Sequence, residues 1–411
     1  MTGARGLDRF ILGSARKRFA LSAPLIASVL NCVATEAAAK RGVTLYGSID
    51  AGLSYVTKMA TESAHAPSLR YADGVAQGNR WGLRGSENLG NGLDAIFVLE
   101  SAFSTSGGMS LPQAALFARK AYVGLSKRAI GALTYGRQNA LSAVYVGSHY
   151  AMGSQSAAGT YAYHINDLDQ LAAGRLSHAL TFSSAKFAGF EFGGMVAFSN
   201  WTDRSTGSPA GDDIRGVDPR VASNAYSVGF NYTGEPFGMG AAYTRIGFPM
   251  GATAPVSATV ANVKVGVLRS LSSFAVGGRY TVDVVRVWGN VTRTTLTPTA
   301  GASSELDNFE AGVRYALTPI VGAALGYTRS TLTGGSSGRW DQINLALDYA
   351  VSKRTDVYVL AIRQMASGRN TVAGMEIPVQ AEIGARARLI GNSGNGAGSQ
   401  AVVRIGLRHR F

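Results

Sequence analysis

The chain has 411 residues, of which 16% are charged, 46% are apolar and 52 are glycine, and its net charge is +14. An average soluble protein carries about 25% charged residues and ~7% glycine, so this is an odd soluble protein, and it is too apolar for a disordered one. Eleven prolines exclude a collagen-like chain, the single Cys32 excludes a disulfide framework or cysteine-based zinc site, and no run of 18 uncharged apolar residues offers a transmembrane helix.

Residues 1–39 read as a secretory signal peptide. Arg5, Arg9, Arg16, Lys17 and Arg18 form a basic n-region, Phe19 to Ala34 is apolar, and Ala37-Ala38-Ala39 offers a cleavage site before Lys40. The mature chain is then 40–411, and it contains no cysteine that could mispair in an oxidising compartment.

From Val43 the pattern has period two. Val43, Leu45, Ile49, Leu53 and Tyr55 share one face, while Thr44, Tyr46, Ser48, Asp50 and Ser54 share the other. The last residues repeat this, with Val403, Ile405, Leu407, His409 and Phe411 opposite Arg404, Arg408 and Arg410. Similar strands are expected near 79–88, 92–104, 116–126, 129–137, 176–184, 190–200, 221–231, 236–246, 272–281, 283–294, 307–317, 320–330, 340–350 and 354–364, sixteen in all with the two ends.

Short connectors such as Asn88 to Gly92, Thr233-Gly234-Glu235, Thr318-Pro319 and Ser352-Lys353 carry turn chemistry. Long ones, 57–78, 201–220, 247–271 and 365–400, are polar and Gly/Ser-rich. Alternation of the two kinds predicts a 16-stranded antiparallel transmembrane β-barrel, with long extracellular loops at one rim and short periplasmic turns at the other. Hydrocarbon leaves no water for an open sheet edge, so the first and last strands are expected to pair. Aromatic residues at strand ends, among them Tyr55, Trp81, Phe198, Tyr243, Tyr327, Tyr349 and Phe411, are expected to form interfacial girdles.

Several segments carry a resemblance. Val43-Thr-Leu-Tyr-Gly-Ser-Ile-Asp-Ala-Gly52, Arg80-Trp-Gly-Leu-Arg-Gly-Ser-Glu-Asn-Leu-Gly90, Arg119-Lys-Ala-Tyr-Val-Gly-Leu125, Leu133-Thr-Tyr-Gly-Arg-Gln138, Leu347 to Asp356 and Gly406-Leu-Arg-His-Arg-Phe411 span the mature chain in order. In these the chain resembles the Gram-negative trimeric general porins of the β-proteobacterial type. The resemblance implies a homotrimer in the outer membrane, in contact with outer-membrane lipid and lipopolysaccharide, that passes small hydrophilic solutes and anions by passive diffusion. It also implies that Phe411 belongs to the signal read by the barrel-assembly machinery, and that the third loop, from Arg137 to about Gly174, folds into the bore. By motif the basic wall of the constriction would be Arg80, Arg119 and Arg175, facing Asp167 and Asp169 of that loop; the Pro-Glu-Phe-Gly segment of enteric relatives is missing.

Periodicity bears on these assignments separately. Arg80 shares a face with Arg84, opposite Trp81 and Leu83, and Arg175 shares one with Ser177, Thr181 and Ser183, opposite Leu176 and Leu180. Arg119 shares parity with the apolar Val123 and Leu125. Further lumen charges are Arg84, Arg137, Arg286, Arg314, Arg404 and Arg408. Guanidinium groups stay charged when crowded, and rings of them favour anions, so mild anion selectivity is expected. In a competing reading the arginines pair with Glu100, Glu310, Asp348 and Asp356 and only stiffen the wall. The five histidines show no metal spacing, and no phosphate cradle or hydrolase elbow is present, so neither a cofactor nor enzymatic activity is expected. Arginines spread at strand spacing argue against nucleic-acid binding. The alternative function is a substrate-selective channel for sugars or peptides.

Overall fold

The computed structural model describes residues 42–61, 65–111, 115–198, 224–248, 256–372, 374–385, 390–394 and 396–411. Residues 1–39, expected to be a signal peptide, and the connector 201–220 lie outside them. All sixteen expected strands are present, and they close into one antiparallel barrel. In chain order they are β1 (Gly42–Ala60), β2 (His65–Asp73 and Arg80–Gly90), β3 (Leu93–Ala102), β4 (Lys120–Lys127), β5 (Gly131–Asn139), β6 (Arg175–Ser184), β7 (Phe190–Ala197) and β8 (Asn224–Thr233). The second half comprises β9 (Phe237–Gly247), β10 (Val263–Val282), β11 (Val285–Pro298), β12 (Ser304–Thr318), β13 (Val321–Gly334), β14 (Gly338–Ala350), β15 (Thr355–Ser367) and β16 (Ser399–Arg410). Closure is by β1 and β16, which pair from Ser48↔Arg410 to Val56↔Val402. Gly47 and Phe411 complete the seam by exchanging two backbone hydrogen bonds, of 3.0 and 3.1 Å.

The alternation read from the sequence sorts the side chains as expected. Val43, Leu45, Leu53, Tyr55, Val403, Ile405 and Leu407 are exposed on the outer wall, whereas Ser48, Asp50, Ser54 and Arg404 are buried inside. Exposed leucine, valine and phenylalanine cover the outer wall of nearly every other strand, which is a favourable surface only in lipid.

Three features depart from the periodic reading. Residues 57–78 are mostly strand, because His65–Asp73 pairs with Ala51–Ala60 of β1; the chain then folds inward at 74–79 before β2 resumes. The loops 299–303 and 335–337 are short, so long and short connectors do not alternate strictly; β11 to β14 are correspondingly 13 to 15 residues long. The inner wall is not polar throughout. Leu176, Ile246, Leu271, Leu296, Leu306, Leu332 and Trp340 form an apolar seam under loop 3 residues Ile165 and Leu168.

Candidate functional site

Loop 3, residues 140–174, lies within the barrel against the inner faces of β8 to β14. It starts as a helical segment, Ser142–Gly147 followed by Ser148–Tyr150 and Met152–Gln155, and returns through Ile165–Asp167. The wall beneath the helical limb carries glycine at the points of closest approach. A Cβ at Gly240 would come within 2.6 Å of Tyr145 O, and one at Gly277 within 2.6 Å of Tyr150 Cβ, so glycine is what lets the loop lie flat.

Polar groups fix its position along that wall. Ser227 Oγ accepts from Leu141 N (3.1 Å), Asn290 Nδ2 donates to Tyr150 O (2.9 Å), and Glu310 Oε1 accepts from Met152 N (2.6 Å). Arg314 Nη1 donates to Gln155 O (3.1 Å) and Gln342 Nε2 to Tyr161 O (3.0 Å). At the far end Thr160 N donates to Val75 O (2.8 Å) in the inward fold of β2, and Ala385 N, in the connector between β15 and β16, donates to Thr160 O (2.6 Å). Loop 3 is thereby tied to both of its neighbours across the mouth.

The basic groups gather on the opposite arc, β2 to β6. Glu100 of β3 is their hub: its Oε1 is 2.6 Å from Arg119 Nε, its Oε2 is 3.8 Å from Arg80 Nε, and Tyr46 OH donates to it at 3.0 Å. Lys120 and Arg175 lie within electrostatic range of the same carboxylate. Arg119 precedes β4 and so escapes the outward parity of Val123 and Leu125; its Nη1 passes over Gly78, 3.1 Å from where a Cβ would stand. Arg137 donates to Ala118 O (2.6 Å) and Ser177 Oγ (2.7 Å). Arg175 has Arg119, Arg137, Glu100 and Asp167 as charged neighbours. Arg84 is more exposed and lies 5.3 Å from the centre of the Tyr46 ring.

The parity given for Arg175 does not hold. His178 adopts φ 52° and the β5–β6 register shifts there, so Leu176, Ala179 and Thr181 are all buried in the interior. Arg175 reaches the basic group from the strand's end, where the chain leaves loop 3. The two loop acids also part company. Asp167 stays near Arg175 and accepts from the backbone N–H groups of Ala172 (2.7 Å) and Ala173 (2.8 Å). Asp169 instead faces the wall: it is fully buried, 2.5 Å from His164 Nδ1, and accepts from Thr292 (2.8 Å) and Asn308 (3.3 Å). It anchors the loop.

Two histidines within the loop respond oppositely to burial. His164 is disfavoured as a cation by burial, yet Asp169 and Glu310 beside it override that and push its pKa up to about 10. His149 has no such partner; burial, reinforced by Arg279 and Lys186, pushes it down to about 4.

The further lumen arginines are inside the barrel, most of them already paired. Arg314 meets Asp348 (2.9 Å), Arg408 meets Asp356 (2.8 Å), and Arg286 donates to Thr281 (3.2 Å). Arg404 is a correction: it is not a water-facing charge but a buried brace, held by Asp50 (3.3 Å), Tyr358 OH (2.9 Å), Ser54 and the Ala72 carbonyl. Glu100 pairs with the basic wall as the competing reading expects, Tyr46 and Arg410 join from the inner face that alternation gives them, and Lys120 joins without being singled out by the sequence. Inner parity, shared with Gly82, Ser48 and Arg408, is the signal that places Tyr46, Glu100 and Arg410 inside.

A family model described as Gram-negative porin matches residues 25–367. An outer membrane porin protein of Bordetella pertussis is 28% identical, over 81% of this chain and 91% of that one. Among solved structures, the anion-selective porin from Comamonas acidovorans superposes with a TM-score of 0.66 at 20% identity, covering 90% of this chain and 99% of that one. The trimer form of in-vitro folded OmpT of Vibrio cholerae follows at 0.57 and 14%, covering 90% and 99%.

Proposed function

The chain belongs to the Gram-negative porin family, and from that premise we propose that its constriction is formed by Arg80, Arg119, Arg137 and Arg175 on one side and loop 3 on the other, and that it favours anions. The protein is a multi-pass outer-membrane channel for passive diffusion, not an enzyme.

One observation carries the selectivity. Five cations (Arg80, Arg119, Lys120, Arg137 and Arg175) share two carboxylates, Glu100 and Asp167, and both of the latter are already engaged. Fixed charge of one sign in a narrow aqueous gap raises the local concentration of counter-ions. The loop side adds little opposing field, since none of its partly exposed residues is charged, Asp167 is held by backbone N–H groups and Asp169 is turned to the wall. Small anionic hydrophilic solutes are therefore the favoured cargo. A homotrimer, and recognition of Phe411 by the barrel-assembly machinery, belong to the same proposal. The trimer form of the Vibrio relative and the position of Phe411 at the closing seam support these two readings.

Ion substitution in planar bilayers tests the reading. Replacing chloride by a bulkier anion should lower single-channel conductance more than replacing potassium by lithium, in insertions that step in threes. A larger loss on exchanging the cation would refute it.

A further inference from the structure

On the periplasmic side of the basic wall the bore has an apolar stretch that the passage of inorganic ions does not need. The inner face of β3 runs Glu100, Val98, Ile96 toward the periplasmic rim, with Phe97 and Leu99 on the outer wall. A porin interior is ordinarily polar and wet. Leu271 and Leu296 are apolar on the inner wall too, but loop 3 covers them. Val98 and Ile96 lie on the arc that loop 3 leaves open. Among the described residues they belong to none of the buried apolar clusters, and both are partly exposed.

Strand register gives Val98 two planar neighbours. Arg84 of β2 stands directly opposite it on one side and Tyr122 of β4 on the other, and neither is buried. Arg84 Cζ lies 5.3 Å from the centre of the Tyr46 ring, and Tyr46 is itself tied to Glu100 (3.0 Å). One side of the guanidinium is thus braced while the residue remains exposed. On β5 the residue opposite Tyr122 is Gly136, so no side chain from that strand stands beside the ring at this level. Neighbouring strands are about 4.8 Å apart, which puts roughly 10 Å between the backbones of Arg84 and Tyr122. That is room for one flat ring between a tyrosine face and a guanidinium plane, with Val98 as its floor. Two residues farther up the strands, roughly 7 Å away, stand Lys120 and the arginines around Glu100.

We propose that Arg84, Val98 and Tyr122 form a subsite for aromatic carboxylates, with the ring between Arg84 and Tyr122 and the carboxylate on Lys120; this rests on the anion-favouring constriction and narrows its cargo. An acid of that shape meets both halves of the surface. Its ring displaces water from Val98, stacks on Tyr122 and offers a face to the Arg84 cation. Its carboxylate accepts a charge-assisted hydrogen bond from Lys120, which is partly exposed and level with Glu100. Acetate gains only the second contact and a neutral ring only the first. Ile96 extends the apolar floor toward the periplasm, so the ring has a surface to leave by. Conduction needs a site that holds its solute strongly enough to admit it and weakly enough to release it, and one ring contact with one charge meets that condition.

The test adds benzoate, acetate or benzyl alcohol to purified full-length protein in planar bilayers and reads binding from the fall in potassium chloride conductance. Benzoate should halve the conductance at a concentration roughly tenfold or more below that of acetate, and benzyl alcohol should leave it unchanged. Tyr122→Phe keeps the ring and should keep this preference. Tyr122→Leu should weaken benzoate roughly fivefold while the zero-current potential keeps its sign. Should Tyr122→Leu fail to reach a heat-resistant form, Val98→Thr decides, with an expected loss of roughly threefold. A chloride-preferring wild type that treats benzoate and acetate alike, equal block by benzyl alcohol, or an undiminished benzoate preference in Tyr122→Leu would each overturn this proposal and leave the constriction standing. A potassium-preferring wild type would overturn the constriction, and this proposal with it.

Discussion

Arg119 Nε lies 2.6 Å from Glu100 Oε1, and that carboxylate, 2% exposed, is shared with Arg80. One acid thus holds two arginines on the basic wall without neutralising the group, because Arg137, Arg175 and Lys120 stand around it.

Glu100→Gln should make the channel more anion-selective and the barrel less stable. The change removes negative charge from the basic wall, and breaking a buried pair on one side costs on the order of 3 kcal/mol. Zero-current potentials and the temperature of heat unfolding in detergent measure the two effects. An unchanged potential would show that Glu100 lies outside the ion path.

Gly277→Leu should lower single-channel conductance. The new Cβ would stand 2.6 Å from Tyr150 Cβ, and the side chain would drive the helical limb of loop 3 away from the wall into the bore. Leucine at Gly194 of β7, where nothing lies within 4 Å of a Cβ, serves as the control.

Raising the pH should loosen loop 3. The folded pKa of His164 is raised above its ordinary 6.5 to about 10, so its contribution is complete below 6.5 and is lost as pH rises through 10. Current noise from loop motion should grow between those values in the wild type. His164→Gln should remove that pH dependence.

Deleting Phe411 should prevent a heat-resistant barrel. Its backbone supplies both hydrogen bonds to Gly47, and without them the seam opens at its periplasmic end. Migration on a gel with and without heating reads the outcome.

The barrel was legible because a strand needs only local alternation to declare its faces, and Val43–Tyr55 and Val403–Phe411 alternate cleanly. The site was legible in part. Arg80 followed from parity and motif together, but Arg175 did so only by motif, since the bulge at His178 inverts the face that counting assigns. Asp167 and Asp169 are two residues apart in one loop, and only the packing of that loop on Thr292 and Asn308 separates their roles. The apolar seam under Ile165 and Leu168 was hidden for the same reason: it answers to a loop distant in sequence, not to the strand's own period. Pro67, Gly74 and Gly78 made the outer half of β2 look like a loop, although Leu69 and Tyr71 face outward from a paired strand.

The most direct measurement of the account is the zero-current potential across a tenfold potassium chloride gradient, for the wild type and for Arg80→Ala with Arg175→Ala. The wild type should give the sign of a chloride-preferring pore, and the double variant should move toward zero with a larger conductance. A potassium-preferring wild type, or a variant whose potential does not move, would contradict a constriction governed by these arginines.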